Sequence, residues 1–258
     1  MARSPVEAPQ HILSLLDHLH NLSIEQEDRL KGDKARFVST DVSNTASDGG
    51  QVRETTAPTK SLENDSSFDD LMRDKLIALD KDKCHFVYQL IRATGATNVI
   101  EAGTSFGIST IYLALAVGEN KKRLDAADRR RSKPGVIATE NEPSKVVKAR
   151  QHWKQCGPEV EREIDLREGN LLVTLATNVT QDVDLLLLDI WTPLALPTVK
   201  LVQPRLRPGA VILVDHTLTA AHGYKELLDY FSEPANGFRS LTLPYSGGFE
   251  MTVYEPRK

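Results

Sequence analysis

The sequence predicts an α/β protein: a doubly wound, mostly parallel sheet of seven strands, ending in an antiparallel hairpin at the C-terminal side. Three observations predict it. Short apolar runs at 99–102, 136–140, 183–188 and 210–215 alternate with segments of helical spacing, the pattern of successive βα units. The run Val183-Asp-Leu-Leu-Leu-Leu-Asp189-Ile190 is almost unbroken, as in a strand covered on both faces. Residues 98–110 read as a buried strand, a tight turn with glycine at 103 and 107, and a helix start whose free amides can face a polar ligand.

Taken in order, Ile12, Leu15, Leu16 and Leu19 fall at i, i+3, i+4 and i+7, an amphipathic helix within an N-terminal segment 1–38. Residues 39–67 are dominated by Ser, Thr, Asp, Asn and Gly and cannot bury enough apolar surface to offset their ordering entropy, so a flexible linker is expected. The main domain then spans 68–258. Phe68, Leu71, Met72, Leu76 and Leu79 restore helical spacing, and Val87, Leu90, Ile91 and Thr94 continue it in a second helix that Gly95 ends. After the first strand, a helix is expected over about 105–117. The basic segment 118–135 contains interspersed acids and no aromatic residue, which fits a solvated insertion and not a nucleic-acid patch. Strand two ends at Glu140, and Val146, Ala149 and Trp153 make the apolar face of the next helix. Residues 164–167 read as strand three and 183–188 as strand four, followed by a helix through Val199 and Val202. Pro208-Gly209 is read as the turn into strand five, and Tyr224, Leu227, Leu228 and Phe231 as one more helix face. Residues 238–243 and 249–254 form the hairpin.

Bulk properties narrow the class. The 258 residues are 40% hydrophobic and 26% charged, with a formal net charge of −4, which gives no electrostatic case for nucleic acid or an anionic membrane. No apolar run approaches the roughly 20 residues of a membrane span. Residues 1–10 lack the apolar centre of a secretory signal, and Cys84 and Cys156 are far apart without metal-ligand spacing. A cytoplasmic, small-molecule protein is expected. The first amphipathic helix can pack on its own domain or on a second copy, so a homodimer stays open.

Sheets of this type hold ligands beyond the carboxyl ends of their strands. Four strand ends carry acids: Glu101, Glu140, Asp189 and Asp215. A dinucleotide would want G-x-G-x-x-G, but the turn has Ser105 at the middle position, and Glu101 would oppose a pyrophosphate. S-adenosyl-L-methionine carries a sulfonium, an ammonium and a ribose diol, and no phosphate, so acids suit it.

On these residues the sequence resembles the class I S-adenosylmethionine-dependent methyltransferases, nearest to small-molecule O-methyltransferases related to the catechol and caffeoyl-CoA enzymes, over roughly residues 68–254. The resemblance implies a Rossmann-like fold and S-adenosyl-L-methionine as cofactor. It implies a cofactor site of Glu101, Gly103, Thr104, Ser105, Gly107 and Ser109 in the first motif, with Glu140 on the ribose. Asn170 and Leu171 would lie beside the adenine, Asn170 standing where an acid is usual. Asp189-Ile-Trp191 resembles the Asp-x-Trp of the catechol enzymes, whose tryptophan lies against the adenine, and residues 77–79 would cover the methionine end.

The resemblance breaks at the chemistry. Its cation-dependent members hold Mg²⁺ with two aspartates and an asparagine, and the catechol enzymes add a lysine after the tryptophan. Here Asp189 and Asp215 stand at the aspartate positions, His216 at the asparagine and Thr192 at the lysine. Two readings follow. His216 is a general base held by Asp215 or Asp189, or Asp189, Asp215 and His216 hold a divalent metal softer than Mg²⁺. His222 is a second, weaker base candidate. The expected activity is methyl transfer to a hydroxyl of a small, aromatic acceptor. Transfer to nitrogen or sulfur, and a non-catalytic cofactor-binding protein, are the alternatives.

Overall fold

The computed structural model describes residues 4–256, apart from 44–74. Helix α1 (Gln10–Ser43) is followed by α2 (Lys81–Thr94), β1 (Val99–Ala102), α3 (Ile108–Lys121), β2 (Val136–Glu140), α4 (Pro143–Cys156), the single turn α5 (Pro158–Glu161), β3 (Ile164–Glu168), the single turn α6 (Leu171–Thr174), β4 (Val183–Leu188), α7 (Thr192–Val202), β5 (Leu206–Asp215), α8 (Lys225–Ser232), β6 (Phe238–Leu243) and β7 (Phe249–Tyr254). The strands form one sheet in the order β3-β2-β1-β4-β5-β7-β6, parallel except for β7, which runs against β5 and β6. This is the expected doubly wound sheet with its closing hairpin. The chain reverses its direction of travel across the sheet between β1 and β4, which opens a crevice at the strand ends there.

Two apolar layers hold the sheet. One packs Ile12, Leu16 and Leu19 of α1, Val87 and Ile91 of α2, and Ile111 of α3 against Val99, Leu185, Leu187, Val211 and Leu213. The other packs Val199 and Val202 of α7 and Leu227 and Phe231 of α8 against Ile100, Leu186, Leu188, Ile212 and Val214. Successive residues of each strand therefore serve opposite layers, as the pleat requires. By the same alternation Glu101, Asp189 and Asp215 point to the α2–α3 side, and this positions the site.

Three local expectations are corrected. The predicted helix over 68–79 is absent at 75–80, which is irregular, with Leu76 and Leu79 buried; its earlier part lies outside the described residues. Helical spacing there reflects two anchoring leucines and not a helix face. Helix α1 reaches Ser43, so the segment expected as a linker is helical at 39–43 and lies outside the described residues from 44 to 67. Pro208-Gly209 is not a turn ahead of β5 but sits within it, where the β4–β5 register shifts between Val183 and Leu185 and Gly209 takes φ +76°. No helix among the described residues is long and apolar enough to cross a membrane.

Candidate active site

The turn after β1 is built around a buried acid. Glu101 is fully buried, and its carboxylate accepts hydrogen bonds from Thr104 Oγ1 (2.8 Å), Ser109 Oγ (2.6 Å) and Thr110 Oγ1 (2.5 Å). Burial pushes its pKa up, and the three hydroxyls pull it back. Glu101 thus ties the turn to the first turn of α3 and does not line the cleft in front of it. Gly103 takes φ +89°, and a Cβ there would collide with the carbonyl oxygen of Asp189. Gly107 takes φ +78°, and a Cβ would stand 2.5 Å from Trp153 Nε1, which donates to the Gly107 carbonyl. Ser105 is also left-handed, at φ +49°, and its N–H donates to Glu140 Oε2 at 2.7 Å. The other Glu140 oxygen accepts from Glu142 N–H at 2.8 Å.

A narrow cleft of about 10 Å³ lies over this turn, lined by Gly103, Thr104, Ser105, Ser109 and Asp189 on one side and Ile77–Leu79 on the other. Segment 75–80 is held in place by α1: Leu76 N–H donates to Gln26 Oε1 (2.8 Å) and Ala78 N–H to Ser23 Oγ (2.9 Å). Further along the strand ends, Asn170 is exposed and caps α6 through its side-chain oxygen. Leu171 is buried in the α7–α8 layer and not in the cleft. Trp191 is 60% exposed, so it is no core filler.

Asp189 and Asp215 follow the paired residues Leu188 and Val214, which sets the two carboxylates side by side. With His216 they bring three ligand atoms within 4.8 Å of one another. Asp215 is buried; its Oδ1 accepts from Lys83 Nζ at 2.6 Å and from its neighbour's backbone, His216 N–H, at 2.8 Å. His216 Nδ1 lies 2.9 Å from Asp215 Oδ2 but out of hydrogen-bond alignment, so that buried oxygen accepts no hydrogen bond among the described residues. His216 is left-handed at φ +58°, and its ring is half exposed. The hairpin turn fixes it from behind: Leu218 and Thr219 donate to the Gly247 carbonyl, and a Cβ on Gly247 would stand 3.0 Å from His216 Cδ2.

These groups shift one another. Burial, then the neighbouring Asp215, pushes Asp189 up to about 7. Burial also works against ionised Asp215, but His216 and Lys83 outweigh it and hold its carboxyl below the usual range. The Asp215 carboxylate raises the His216 imidazole above 6.5.

Of the expected residues, the structure brings Gly103, Thr104, Ser105, Ser109 and Asp189 into one cleft, with Asp215 and His216 beside Asp189. His222 is an exposed loop residue. Lys83 was not expected. It is fully buried between Asp215 and Asp80 (2.8 Å), and Thr192, at the position of the missing lysine, packs on Gly223 instead. A sequence signal for Lys83 existed: it lies four and eight residues before Val87 and Ile91, on the buried stripe of α2, where a lysine needs a partner.

Residues 100–217 match the family model of a methyltransferase domain. Residues 100–217 are thus similar to a methyltransferase domain. A search of curated proteins returns no match. Among solved structures, the chain is similar to cofactor-bound Rv0187 from MTB (24% identity, TM-score 0.59, covering 70% of this chain and 83% of that one). It is also similar to an O-methyltransferase from Bacillus cereus in complex with SAH (21% identity, TM-score 0.56, 69% and 83%). A third is the O-methyltransferase TomG from Streptomyces achromogenes, involved in tomaymycin synthesis, in complex with SAM (21%, TM-score 0.56, 69% and 82%). At these identities the likeness establishes the fold, and the methyltransferase domain rests on the family match. Two of these structures hold S-adenosylmethionine or its demethylated product SAH.

Proposed function

We propose that this methyltransferase domain moves the methyl group of S-adenosylmethionine to a hydroxyl of a small aromatic molecule, with His216 as the general base. The observation that carries the reading is the Asp215–His216 pair. Its Nδ1 faces a buried carboxylate at 2.9 Å, which leaves Nε2 for an acceptor proton, and the ring is half exposed at the end of β5 beside Asp189. The misalignment of that pair is no objection, because such contacts tighten when substrate binds. The solved relatives named above as O-methyltransferases support oxygen as the acceptor atom. The two free, buried cysteines support a cytoplasmic setting.

On this reading the methionine end of the donor meets Gly103, Thr104, Ser105 and Ser109 beside segment 77–79, in the cleft they line together, and the missing Cβ of Gly103 lets the turn close against the Asp189 backbone. Glu140 receives the ribose hydroxyls with the lone pairs left by Ser105 and Glu142, and the adenine lies by the exposed Asn170 and Trp191, with Leu171 packed into the core and out of reach. Glu101 acts at one remove, by holding Thr104 and Ser109 in place. Transfer is an in-line displacement on an activated carbon, so alignment, proton removal and exclusion of water are the protein's tasks.

A divalent cation is the second reading, favoured by the buried Asp215 Oδ2 that accepts no hydrogen bond among the described residues and by three ligand atoms within 4.8 Å. The donor set fits Mn²⁺, Fe²⁺ or Zn²⁺ better than Mg²⁺. Asp189, Asp215 and His216 would hold the ion, which would lower the pKa of the acceptor hydroxyl. Turnover measured with and without EDTA decides between them. The base reading predicts activity indifferent to chelator and a loss of roughly 10²–10⁴-fold in His216→Ala. Loss on chelation with recovery on added Mn²⁺ would establish the metal.

A further inference from the structure

We infer that Lys83 is a positioning residue that ties the segment over the donor cleft to the Asp215–His216 pair, so that donor binding and base orientation share one buried ion link. The inference rests on the dyad reading above. Lys83 sits in the first turn of α2, fully buried, although a lysine is almost never buried without partners. Its ammonium reaches Asp215 Oδ1 at 2.6 Å on one side and Asp80 Oδ2 at 2.8 Å on the other. It also lies 5.9 Å from the centre of the Phe249 ring, on the strand that pairs with β5.

Each end of the link has a purpose. Asp80 is the last residue of the 75–80 stretch, whose Ile77–Leu79 line the same cleft as Gly103–Ser105. At the other end, Lys83 and the His216 backbone N–H both bind Oδ1 of Asp215, and this turns Oδ2 toward His216 Nδ1. A carboxylate held through one oxygen by a buried cation cannot rotate away from the ring. Without Lys83 the carboxylate would be buried with no countercharge beside it except an exposed imidazole, and its orientation would be lost. The ring then loses the carboxylate that faces its Nδ1 at 2.9 Å and whose charge favours a proton on that nitrogen.

The test needs no acceptor. Long-range ¹H–¹⁵N spectra of the full chain, at a pH where the imidazole is neutral, read which ring nitrogen of His216 carries the proton. The wild type should show Nδ1–H, and Lys83→Met should shift the ring toward Nε2–H. Calorimetry with S-adenosylhomocysteine is the second readout. Asp80→Asn, at the half-exposed end of the link and able to fold whatever Lys83→Met does, should weaken binding roughly three- to tenfold, a charged hydrogen bond discounted for solvent. A wild-type ring protonated on Nε2 overturns the dyad reading and this inference with it. A wild-type Nδ1–H ring left unchanged by Lys83→Met, or wild-type affinity in Asp80→Asn, overturns this inference alone.

Discussion

Asp189 and Asp215 end adjacent strands on the same side of the sheet, yet their carboxyl groups move in opposite directions. The difference is contact: Lys83 and the His216 backbone N–H bond Asp215 directly, whereas the two residues act on Asp189 only through their charge, which does not offset its burial and the like charge of Asp215. Asp189 therefore favours its protonated form in the folded chain. Its folded pKa of about 7 lies above its ordinary 3.8, so its contribution to stability is full below about 3.8 and is lost as pH rises through 7. Asp189→Asn removes that loss. The melting temperature of the variant relative to wild type should rise between pH 5 and pH 8; a difference that stays flat with pH contradicts the assigned shift. Gly103 gives the second prediction at this scale. With φ +89° and the Asp189 carbonyl where a Cβ would go, Gly103→Ala should cost about 2–4 kcal/mol in urea unfolding and remove measurable S-adenosylhomocysteine binding. Unchanged stability would mean the turn can relax around a side chain.

Helix α1 acts on the site as an element, although none of its described residues lines the cleft. Ile12, Leu16 and Leu19 seat it in the core, and Ser23 and Gln26 then catch two backbone amides of segment 75–80. That segment has no secondary structure of its own to satisfy those amides, so its position beside the cleft depends on the helix. Removing an acceptor leaves a partly buried N–H at a cost of about 1–3 kcal/mol. The double variant Ser23→Ala, Gln26→Ala should bind S-adenosylhomocysteine at least tenfold more weakly by calorimetry, with turnover at saturating donor within about threefold of wild type. Equal affinity would show that the helix supports the fold alone. The C-terminal hairpin acts in a comparable way on the acceptor side, where the bare Cα of Gly247 makes room for the His216 ring.

At the scale of the whole molecule, the sheet was legible because its signals are local. Buried parallel strands read as apolar runs, and every predicted strand from 99 to 254 is present. Gly103, Ser105 and Gly107 marked the turn, and Asp189, Asp215 and His216 announced themselves by standing at strand ends. What the sequence concealed depends on contacts between distant residues. Lys83 meets Asp215 across 132 positions: the buried stripe of α2 marks Lys83 as needing a partner, but nothing local says which. Glu101 looked like a ligand for a cation because strand ends face ligands, but the pleat turns it toward α3, where three hydroxyls occupy it. The 75–80 stretch looked helical because two anchoring leucines can mimic a period. The cleft over the β1 turn and the Asp215–His216 pair stand next to each other, with Asp189 common to both.

The central claim is that methyl moves from S-adenosylmethionine to oxygen at His216. The direct measurement is to incubate the full chain with methyl-¹³C donor and a panel of phenols and catechols, and to read the position of the label by NMR. The account predicts a new O–CH₃ signal with at least one acceptor, its formation rate rising with pH to a plateau above 6.5 as the imidazole gives up its proton, and its absence in His216→Ala. Label found on nitrogen or sulfur, an O–CH₃ signal that survives in His216→Ala, or bound donor left unconsumed across the panel would contradict it.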